Sequence, residues 1–364
     1  MKNRIVTVDV RLIHASGIGT YIQNLIPRVI SSCPHLRFHL LAHSDELKNY
    51  SWTHNENVTI IDFQSPIYSL AEQGEFFRKI PRGTVLFWSP HYNIPLLYRG
   101  KLLVTVHDVF HVAMPTFVNG LHRRLYARCM FKIIGRKADA VLTVSKFTEN
   151  ELVRLIGMER NKIYAVHNGI DTAWFQPRKD EMPRRNPFLL YVGNVKPHKN
   201  LSMLCEAFER VKDMIPHDLV IVGKREGFIT GDSSVIAKAA GLEERIEFTG
   251  HVPDTILKQY FTQADVLVFP SLYEGFGLPP LEAMASGCPV IASDIESLRE
   301  VCGDAALFCD PYSSKDIADK IQQIIHDSDV RGRLQQKGLK RAEQFTWDKC
   351  SEKVLSVIAR VLDS

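Results

Sequence analysis

VLVFPSLYEGFGLPPLEAMASG, residues 266–287, is the stretch of sequence that decides the fold. Its first five residues form a short apolar run of the kind that makes a buried strand. Glu274, two glycines and a pair of prolines follow; proline favours the first turn of a helix, and Gly287 is suited to ending one. The pattern predicts a strand, a loop in which the backbone can approach a ligand closely, and a short helix near 281–286 whose first N–H groups bind an anion.

The same alternation of short apolar runs and helical patterns extends along the chain on both sides of this stretch. Continuous apolar strands separated by helices indicate parallel sheets that are covered on both faces. The strands predicted before residue 176 are 5–10, 38–42, 58–61, 85–88, 102–106, 140–144 and 162–166. Those predicted after residue 187 are 188–192, 219–222, 246–249, 266–270, 290–292 and 306–309. Residues 176–187, rich in proline and charge, are predicted to link two α/β domains, and 330–364 to be helical throughout.

Length and composition exclude several classes of protein. The chain has 364 residues, which suggests two domains, and 45% hydrophobic residues, which excludes a disordered or fibrous chain. A net charge of +4 does not mark a dedicated nucleic-acid-binding protein. The seven cysteines show no C-x-x-C spacing, so neither a zinc site nor a disulfide framework is expected, and a reducing cytosol is inferred. No signal peptide or transmembrane segment is predicted.

Two carboxylates frame the opening stretch, Glu274 in its loop and Glu282 in its helix. Carboxylates accept protons from the hydroxyls of a diol, so both are candidate sugar ligands. Five further motifs occur in the same chain: SGIGTY at 16–21, TVHD at 105–108, VSK at 144–146, NGID at 168–171 and YVGNVKPHKN at 191–200. This ordered set, which spans residues 16 to 310, resembles the retaining glycosyltransferases of family four, the group 1 type found in bacterial polysaccharide biosynthesis.

The resemblance implies a GT-B fold, in which two Rossmann-like domains with parallel sheets face a central cleft. It implies an acceptor-binding domain at 1–172, a nucleotide-sugar-binding domain at 173–345, and a last helix, 346–364, that returns to the first domain. The implied activity is metal-independent transfer of a hexosyl group, with retention, from UDP-glucose or GDP-mannose to a sugar hydroxyl of a growing, lipid-linked surface polysaccharide. No cofactor is expected.

The resemblance also assigns roles to individual residues. Glu274 would bind the donor sugar, Glu282 the ribose, and Lys199 the diphosphate, where it would stabilise the leaving group. His107 would lie beside the reacting sugar as a third catalytic residue with Glu274 and Lys199. The remaining donor-binding positions are Gly17, Gly19, Asn194, Val252, Gly275, Phe276, Gly277 and Leu278, with the backbone near 223–224 reading the base. Ser145, which is also a candidate helix N-cap, and Asn168 would line the cleft.

One position departs from the family pattern. Many relatives carry an arginine where this chain has Asn194, shortly before the lysine. Lys196 or His198 is then the candidate for the second positive charge, and the sequence does not choose between them. Weaker binding of the diphosphate is the expected consequence of this departure.

Residues 121–137 form a basic helix in the prediction. Arg124, Arg128, Lys132 and Arg136 recur every four residues and therefore share a stripe, and Leu121, Leu125, Cys129 and Ile133 share another. Two interpretations stay open: a helix packed on the core with a solvated basic face, or contact with an anionic membrane surface that would bring a lipid-linked acceptor to the enzyme. The protein is expected in the cytoplasm, where the second interpretation makes it peripheral on the cytoplasmic membrane face, and nucleic acid is not an expected partner.

Rival functions rest on weaker signals. Gly17 and Gly19 match the first two glycines of the dinucleotide-binding pattern of NAD-dependent dehydrogenases, and Asp45 could bind the ribose. Ile22, however, stands where that pattern has its third glycine. His35, His39 and His43 recur every four residues in a predicted strand, where they would not converge on a metal, and DSD at 327–329 is more typical of a turn than of a metal motif. A nucleotide-sugar 2-epimerase of the same fold and a non-catalytic nucleotide-sugar-binding scaffold are the remaining alternatives.

Overall fold

The computed structural model describes residues 4–118, 120–175, 186–223, 235, 241–242 and 244–364. The chain divides into two compact units. Unit 1 takes in the chain up to Gly169 together with Trp347–Ser364, and unit 2 is Ile170–Thr346. Most of the predicted linker, 176–185, lies outside the described residues.

Unit 1 is built on a parallel sheet of seven strands in the order β3-β2-β1-β4-β5-β6-β7. Its strands are β1 Arg4–Asp9, β2 Leu36–Ala42, β3 Val58–Asp62, β4 Thr84–Ser89, β5 Lys101–Val106, β6 Ala140–Thr143 and β7 Ile163–Ala165. The chain winds outward from β1 in one direction and from β4 in the other, so the strand order reverses between β1 and β4. In open α/β sheets ligands bind beyond the carboxyl ends of the strands at such a reversal.

The helices of unit 1 cover both faces of this sheet. They are Ser16–Ser32, Ser44–Leu47, Leu70–Lys79, Phe110–Ala113, Leu121–Lys137, Lys146–Glu151 with its continuation Leu152–Ile156, and Trp347–Asp363. The helix Ser16–Ser32 packs against Trp347–Asp363, and both bury apolar side chains on β1 and β2 in one core cluster. The segment that follows unit 2 in sequence is therefore part of the core of unit 1.

Unit 2 repeats the design with six parallel strands in the order β10-β9-β8-β11-β12-β13. They are β8 Phe188–Val192, β9 Asp218–Val222, β10 Ile246–Gly250, β11 Val266–Phe269, β12 Val290–Ser293 and β13 Leu307–Cys309. The described helices are Leu201–Val211, Asp254–Gln263, Leu278–Ala285, Glu296–Cys302, Ser314–His326 and Ser328–Ala342. The strand order reverses between β8 and β11. Two doubly wound parallel sheets confirm the predicted α/β class.

The prediction of an unbroken helix over 330–364 is wrong. The helix Ser328–Ala342 ends before Phe345, and the next helix begins at Trp347. At this break the chain pairs with another segment of unit 2, because the Ile170 N–H donates to the Phe345 carbonyl at 3.0 Å and Ile170 bridges Thr346. Backbone pairing therefore replaces helical hydrogen bonds where the chain enters and leaves unit 2.

Candidate active site

The strand reversal of unit 2 brings the two strongest sequence candidates together. Lys199 follows β8 and Glu274 follows β11, and these two strands are neighbours in the sheet. The Lys199 Nζ lies 2.6 Å from Glu274 Oε1 in a largely buried ion pair. A cation and a carboxylate thus lie at the edge where a parallel sheet binds ligands, as the sequence predicts.

Backbone and amide hydrogen bonds tie the two loops to each other. Asn200 has a left-handed φ of 60°, and its Nδ2 donates to the carbonyls of Pro270 at 3.0 Å and Pro311 at 2.7 Å. The Leu272 N–H donates to the His198 carbonyl at 2.8 Å. Lys199 and Glu274 are therefore held in register by the loops that carry them. Sequence analysis did not single out Asn200, although asparagine tolerates the left-handed conformation and its position beside the lysine was a signal for it.

The loop after Glu274 requires a glycine at position 277. Its φ is +106°, and a Cβ there would lie 2.6 Å from Leu298 Cδ2. The helix begins at Leu278 rather than near 281, and its second and third residues are prolines, which have no N–H. The predicted anion site at the helix start is correspondingly smaller. Within the described residues, no acceptor takes the N–H groups of Gly277 and Leu278.

The neighbouring predicted residues shape the same loop. Phe276 is buried, and its ring packs edge-on against Phe345 with centroids 5.9 Å apart. Gly275 lies between Glu274 and Phe276 and is half-buried. The ring contact of Phe276 fixes the chain from which the free N–H groups of the next two residues project.

Glu282 is 9% exposed, and its carboxylate makes no hydrogen bond or ion pair with the described part of the chain. Burial raises the pKa of Glu282 to about 8, Asp254 adds to the rise, and Lys258 opposes it. A carboxylate that keeps a small opening to solvent and makes no hydrogen bond to the protein is a candidate for ligand binding. A pair of hydroxyls would supply the missing hydrogen bonds.

The other donor-binding positions of unit 2 follow its remaining strands. Asn194 lies after β8 and Val252 after β10, both half-buried. Gly223 follows β9, the strand between β8 and β10. Its backbone packs so closely on Gly193 that a Cβ at position 223 would clash with the Gly193 carbonyl oxygen. Lys224, predicted beside the base, lies outside the described residues. Lys196 is exposed and His198 half-buried, so both remain candidates for the charge that Asn194 does not supply.

Two buried hydroxyls near this edge were missed by the sequence analysis. The Tyr191 hydroxyl on β8 and the Ser271 hydroxyl after β11 have no hydrogen-bond partner in the described structure. Burial raises the pKa of Tyr191, and Glu274 raises it further, which places the phenol close to that carboxylate. Both hydroxyls are fully buried at the carboxyl end of this sheet.

In unit 1, His107 follows β5 and is held as a neutral imidazole. Burial lowers its pKa to about 4, against the opposing influence of the Pro90 carbonyl and of Asp108. Its Nε2–H donates to the Pro90 carbonyl at 2.8 Å, so Nδ1 carries the lone pair. Tyr21 supports the ring edge-on, with centroids 5.0 Å apart.

The predicted donor-binding residues Gly17 and Gly19 lie near the start of a helix of unit 1. The helix begins at Ser16, so Gly17 and Gly19 occupy its first turns. A Cβ at Gly19 would lie 2.5 Å from the Ile13 carbonyl oxygen, whereas one at Gly17 would meet nothing within 4 Å. Gly19 therefore lets the helix pack on the preceding backbone, and Gly17 leaves an open surface.

Two further predicted residues of unit 1 have different surroundings. Ser145 is the N-cap of the helix Lys146–Glu151, and its hydroxyl accepts the Thr148 N–H at 3.0 Å. Asn168 is buried, and its Oδ1 has no hydrogen-bond partner in the described structure. Helix capping is a structural role for the Ser145 hydroxyl. The unpaired amide oxygen of Asn168 has no comparable structural role.

A buried charge network at the strand reversal of unit 1 was also missed. Arg11, just after β1, makes two hydrogen bonds to Asp9 at 2.8 and 2.6 Å and one to Glu72 Oε1 at 2.6 Å. His91 Nε2 lies 3.1 Å from Asp9 Oδ2, and Asn93 Nδ2 donates to Glu72 at 2.6 Å. All five side chains are buried. The S-x-x-E pattern at 69–72 was a signal for the helix start that carries Glu72, and its Ser69 does cap that helix.

The basic helix Leu121–Lys137 packs on unit 1 through a third stripe. Its buried residues are Ala127, Met130, Phe131 and Ile134. Leu121 and Leu125 are exposed to 67% and 53%, beside the exposed Arg128 and Lys132. The helix thus presents both an apolar and a basic surface to solvent.

In the residues that the structure describes, no three His, Cys, Asp or Glu side chains are grouped as a metal ion would require. No helix in the described ranges combines the length and the apolar composition needed to cross a bilayer.

Two family models match the chain in succession. One, described as Glycosyltransferase Family 4, matches residues 9–174, and the other, Glycosyl transferases group 1, matches residues 172–341. Similar proteins include the O-antigen chain mannosyltransferase B of Escherichia coli, 29% identical over 74% of this chain and 73% of the relative. Another is the O-antigen chain mannosyltransferase RfbU of Salmonella typhimurium, 30% identical over 66% of this chain and 64%, just under two thirds, of the relative.

Solved structures resemble the whole chain. A sucrose-phosphate synthase from Thermosynechococcus elongatus superposes with a TM-score of 0.82 at 20% identity, covering 99% of both chains. Anabaena Alr3699/HepE, in complex with UDP-glucose, superposes with a TM-score of 0.77 at 15% identity, covering 98% of this chain and 99% of the other. At these identities the likeness establishes the fold.

Proposed function

The chain belongs to the group 1, family 4 glycosyltransferases and has their GT-B fold, and from this premise we propose that it transfers a hexosyl group, with retention, from a nucleoside-diphosphate sugar to a sugar hydroxyl. In this proposal unit 2 binds the donor and unit 1 the acceptor. UDP-glucose and GDP-mannose are the proposed donors, and the similarity to O-antigen mannosyltransferases favours a growing surface polysaccharide as acceptor.

The observation that carries the proposal is the ion pair of Lys199 and Glu274 at the strand reversal of unit 2, followed in sequence by the helix that carries Glu282. Glu282 would receive the ribose hydroxyls, and its ionised form would gain the hydrogen bonds that burial denies it. Glu274 would receive hydroxyls of the donor sugar. Lys199, released in part from Glu274, would face the diphosphate together with the free N–H groups of Gly277 and Leu278.

The proposed reaction breaks the bond between the anomeric carbon and the distal phosphate oxygen. The electron pair moves to that oxygen, where Lys199 and the two N–H groups stabilise the growing charge. The acceptor hydroxyl attacks from the same face that the phosphate leaves, and its proton passes to the departing phosphate. These groups perform the charge stabilisation, so the proposed reaction uses no metal ion.

His107 is proposed to position the reacting sugar. Because its Nε2–H is committed to Pro90, its Nδ1 lone pair is the atom available to accept a sugar hydroxyl. A neutral imidazole also adds no positive charge beside an oxocarbenium-like transition state.

A thermal-shift comparison with UDP, GDP, ADP and NAD tests the donor assignment. A ligand at about 100 times its dissociation constant adds roughly 2.7 kcal/mol, which raises the melting temperature by several degrees. We expect a shift with UDP or GDP alone, and the shift should shrink in Glu282→Gln but persist in the surface control Glu296→Gln. A shift with NAD alone would support the dehydrogenase alternative instead. Release of UDP or GDP coupled to a new glycosidic bond separates transfer from epimerisation and from a silent scaffold.

We further propose that the helix Leu121–Lys137 contacts an anionic membrane. Leu121 and Leu125 would enter the headgroup region while Arg128 and Lys132 pair with lipid phosphates. Co-sedimentation with phosphatidylglycerol vesicles should be strong, weakened by salt, and reduced in Leu121→Ser/Leu125→Ser. Met214→Ser, which removes an apolar side chain of unit 2 that is 61% exposed, is the matched control. Equal binding to neutral vesicles at high salt would contradict this proposal.

A further inference from the structure

Two tyrosine rings form a platform at the carboxyl ends of the unit 1 strands. Tyr68 follows β3 and Tyr92 follows β4, and their rings stack with centroids 5.8 Å apart at an interplanar angle of 29°. Tyr126, on the helix Leu121–Lys137, meets Tyr68 edge-on at 5.7 Å. Half of Tyr68 is exposed, and Tyr92 and Tyr126 are partly exposed. Aromatic surface is thus kept open to solvent beside the strand reversal.

Tyr68 holds this position in a conformation that its residue type disfavours. Its φ is +68°, in the left-handed region that non-glycine residues rarely adopt. The Tyr68 N–H donates to Glu72 Oε2 at 3.0 Å. Strain of this kind persists where the surroundings over-determine it, and it concentrates at functional sites.

The buried charge network of unit 1 supplies that constraint. Glu72, fixed by Arg11 and Asn93, holds the backbone of Tyr68. Asn93 Oδ1 accepts the hydroxyl of Tyr126, and Tyr92 lies in the chain between Asn93 and His91, which bonds Asp9. One network therefore fixes all three tyrosines. Buried ion pairs of this type are weak sources of stability, so a positioning role accounts for this network better than stability does.

A carboxylate completes the platform. Asp108 directly follows His107, and its Oδ1 accepts the Phe110 N–H at 2.9 Å. Asp108 follows β5, and Tyr92 follows β4, its neighbour in the sheet, so both lie at the same edge. Burial raises the pKa of Tyr68 and of Tyr92, and for both phenols the charge of Asp108 contributes to the rise. Stacked rings, phenol hydroxyls and a carboxylate together suit a ligand with one C–H-rich face and a rim of hydroxyls.

We propose that Tyr68, Tyr92 and Asp108 bind the acceptor saccharide. A pyranose face packs on the rings, and its hydroxyls donate to Asp108 and exchange hydrogen bonds with the phenols. Arg11, Glu72 and Asn93 are positioning residues that act through Tyr68 and Tyr126. The choice of a saccharide rests on the proposed transferase function, whereas the site itself rests on the geometry of unit 1.

Saturation-transfer NMR on the full chain, with methyl α-D-mannoside and methyl α-D-glucoside as separate probes, tests the platform without requiring catalysis. Tyr68→Gly removes the ring and relieves the left-handed conformation, so the protein should remain folded while glycoside binding weakens about tenfold. Tyr68→Phe should retain most of the binding. Tyr312→Ala, at an exposed tyrosine of unit 2, is the matched control and should change nothing.

These experiments distinguish failure of the saccharide site from failure of the proposed donor site. Unchanged UDP or GDP thermal shifts in Tyr68→Gly would show that unit 2 is intact, and failure of those shifts in the wild type would affect the donor proposal alone. Equal glycoside signals in wild type and Tyr68→Gly, or none in the wild type, would overturn the platform. So would a loss of vesicle binding in Tyr68→Gly with unchanged glycoside signals, which would assign the rings to a membrane surface.

A separate experiment tests the positioning role of Glu72. Glu72→Gln should weaken glycoside binding about threefold or more in the wild-type background. In the Tyr68→Gly background the same substitution should have no further effect, because its influence passes through the Tyr68 backbone. An equal effect in both backgrounds would mean that Glu72 acts on the fold in general.

Discussion

Glu72 in unit 1 and Glu282 in unit 2 are the same residue type in comparable positions, near the start of helices that cover a parallel sheet. Glu72 is buried and accepts hydrogen bonds from Arg11, Asn93 and the Tyr68 backbone. Glu282 is buried and accepts none from the described residues. Glu72 thus has its hydrogen bonds supplied by the protein, whereas those of Glu282 would have to come from solvent or from the ligand proposed above.

The largest expected effect comes from breaking the complete network. Arg11→Leu leaves Asp9 and Glu72 buried without their cation, and loss of one partner of a buried pair costs about 3–5 kcal/mol. Denaturant unfolding measures this loss. Lys315→Leu, which removes the exposed partner of Asp319, is the control and should cost less than about 1 kcal/mol. Equal losses in the two variants would contradict the contrast drawn here.

Substitutions in the candidate active site of unit 2 should lower activity more than they lower stability. Lys199→Ala removes the cation proposed for the leaving group, and loss of one preorganised stabilising group costs about 10²–10³ in kcat. Lys340→Ala, at an exposed lysine of unit 2 that has no proposed role in the site, is the matched control. Transfer assays with UDP-glucose and GDP-mannose measure the difference. Similar losses for both lysines would contradict the role proposed for Lys199.

Glu282 itself should make stability depend on pH. Its pKa is about 8 in the folded chain and near 4.5 when unfolded, so between these values the folded state holds a proton that the unfolded state releases. The free energy of unfolding should therefore fall as pH rises from about 4.5 to about 8, by as much as a few kcal/mol. Glu282→Gln cannot titrate, so its stability relative to wild type should grow across that window. Urea unfolding at several pH values tests this, and a constant difference would refute it.

The smallest expected effects are changes in stability, and they have opposite signs for Gly277 of unit 2 and Gly17 of unit 1. Gly277→Ala places a side chain in the left-handed region and against Leu298, so we expect a loss of about 1–2 kcal/mol. Gly17→Ala meets open space within a helix and should gain about 0.5–1 kcal/mol. Melting curves measure both changes. Reduced transfer by a stabilised Gly17→Ala variant would support the donor-binding role implied for Gly17.

Much of the fold could be predicted because its signals are local. The apolar runs gave each strand to within two residues, and the helix Leu121–Lys137 was predicted with its observed bounds. The interruption after Ala342 was missed because it depends on Ile170, which is remote in sequence.

The two halves of the candidate site differ in the same way. Lys199 and Glu274 could be found because each stands in a recognisable motif that follows a strand, and adjacent parallel strands then bring them together. The network around Arg11 joins residues 9, 11, 72, 91 and 93 through side-chain contacts that no spacing rule describes. Tyr68 could not be found at all from propensity, because its conformation is imposed by that network.

The helix Trp347–Asp363 gives the protein an unusual order of assembly. Trp347, Cys350, Val354 and Ile358 fill the core of unit 1, yet they are translated only after the whole of unit 2. At about 5–20 residues per second, the nascent first half waits roughly 9 to 35 s with that apolar face uncovered. Unit 2 can fold during this interval, whereas the core of unit 1 is completed only after its last helix leaves the ribosome.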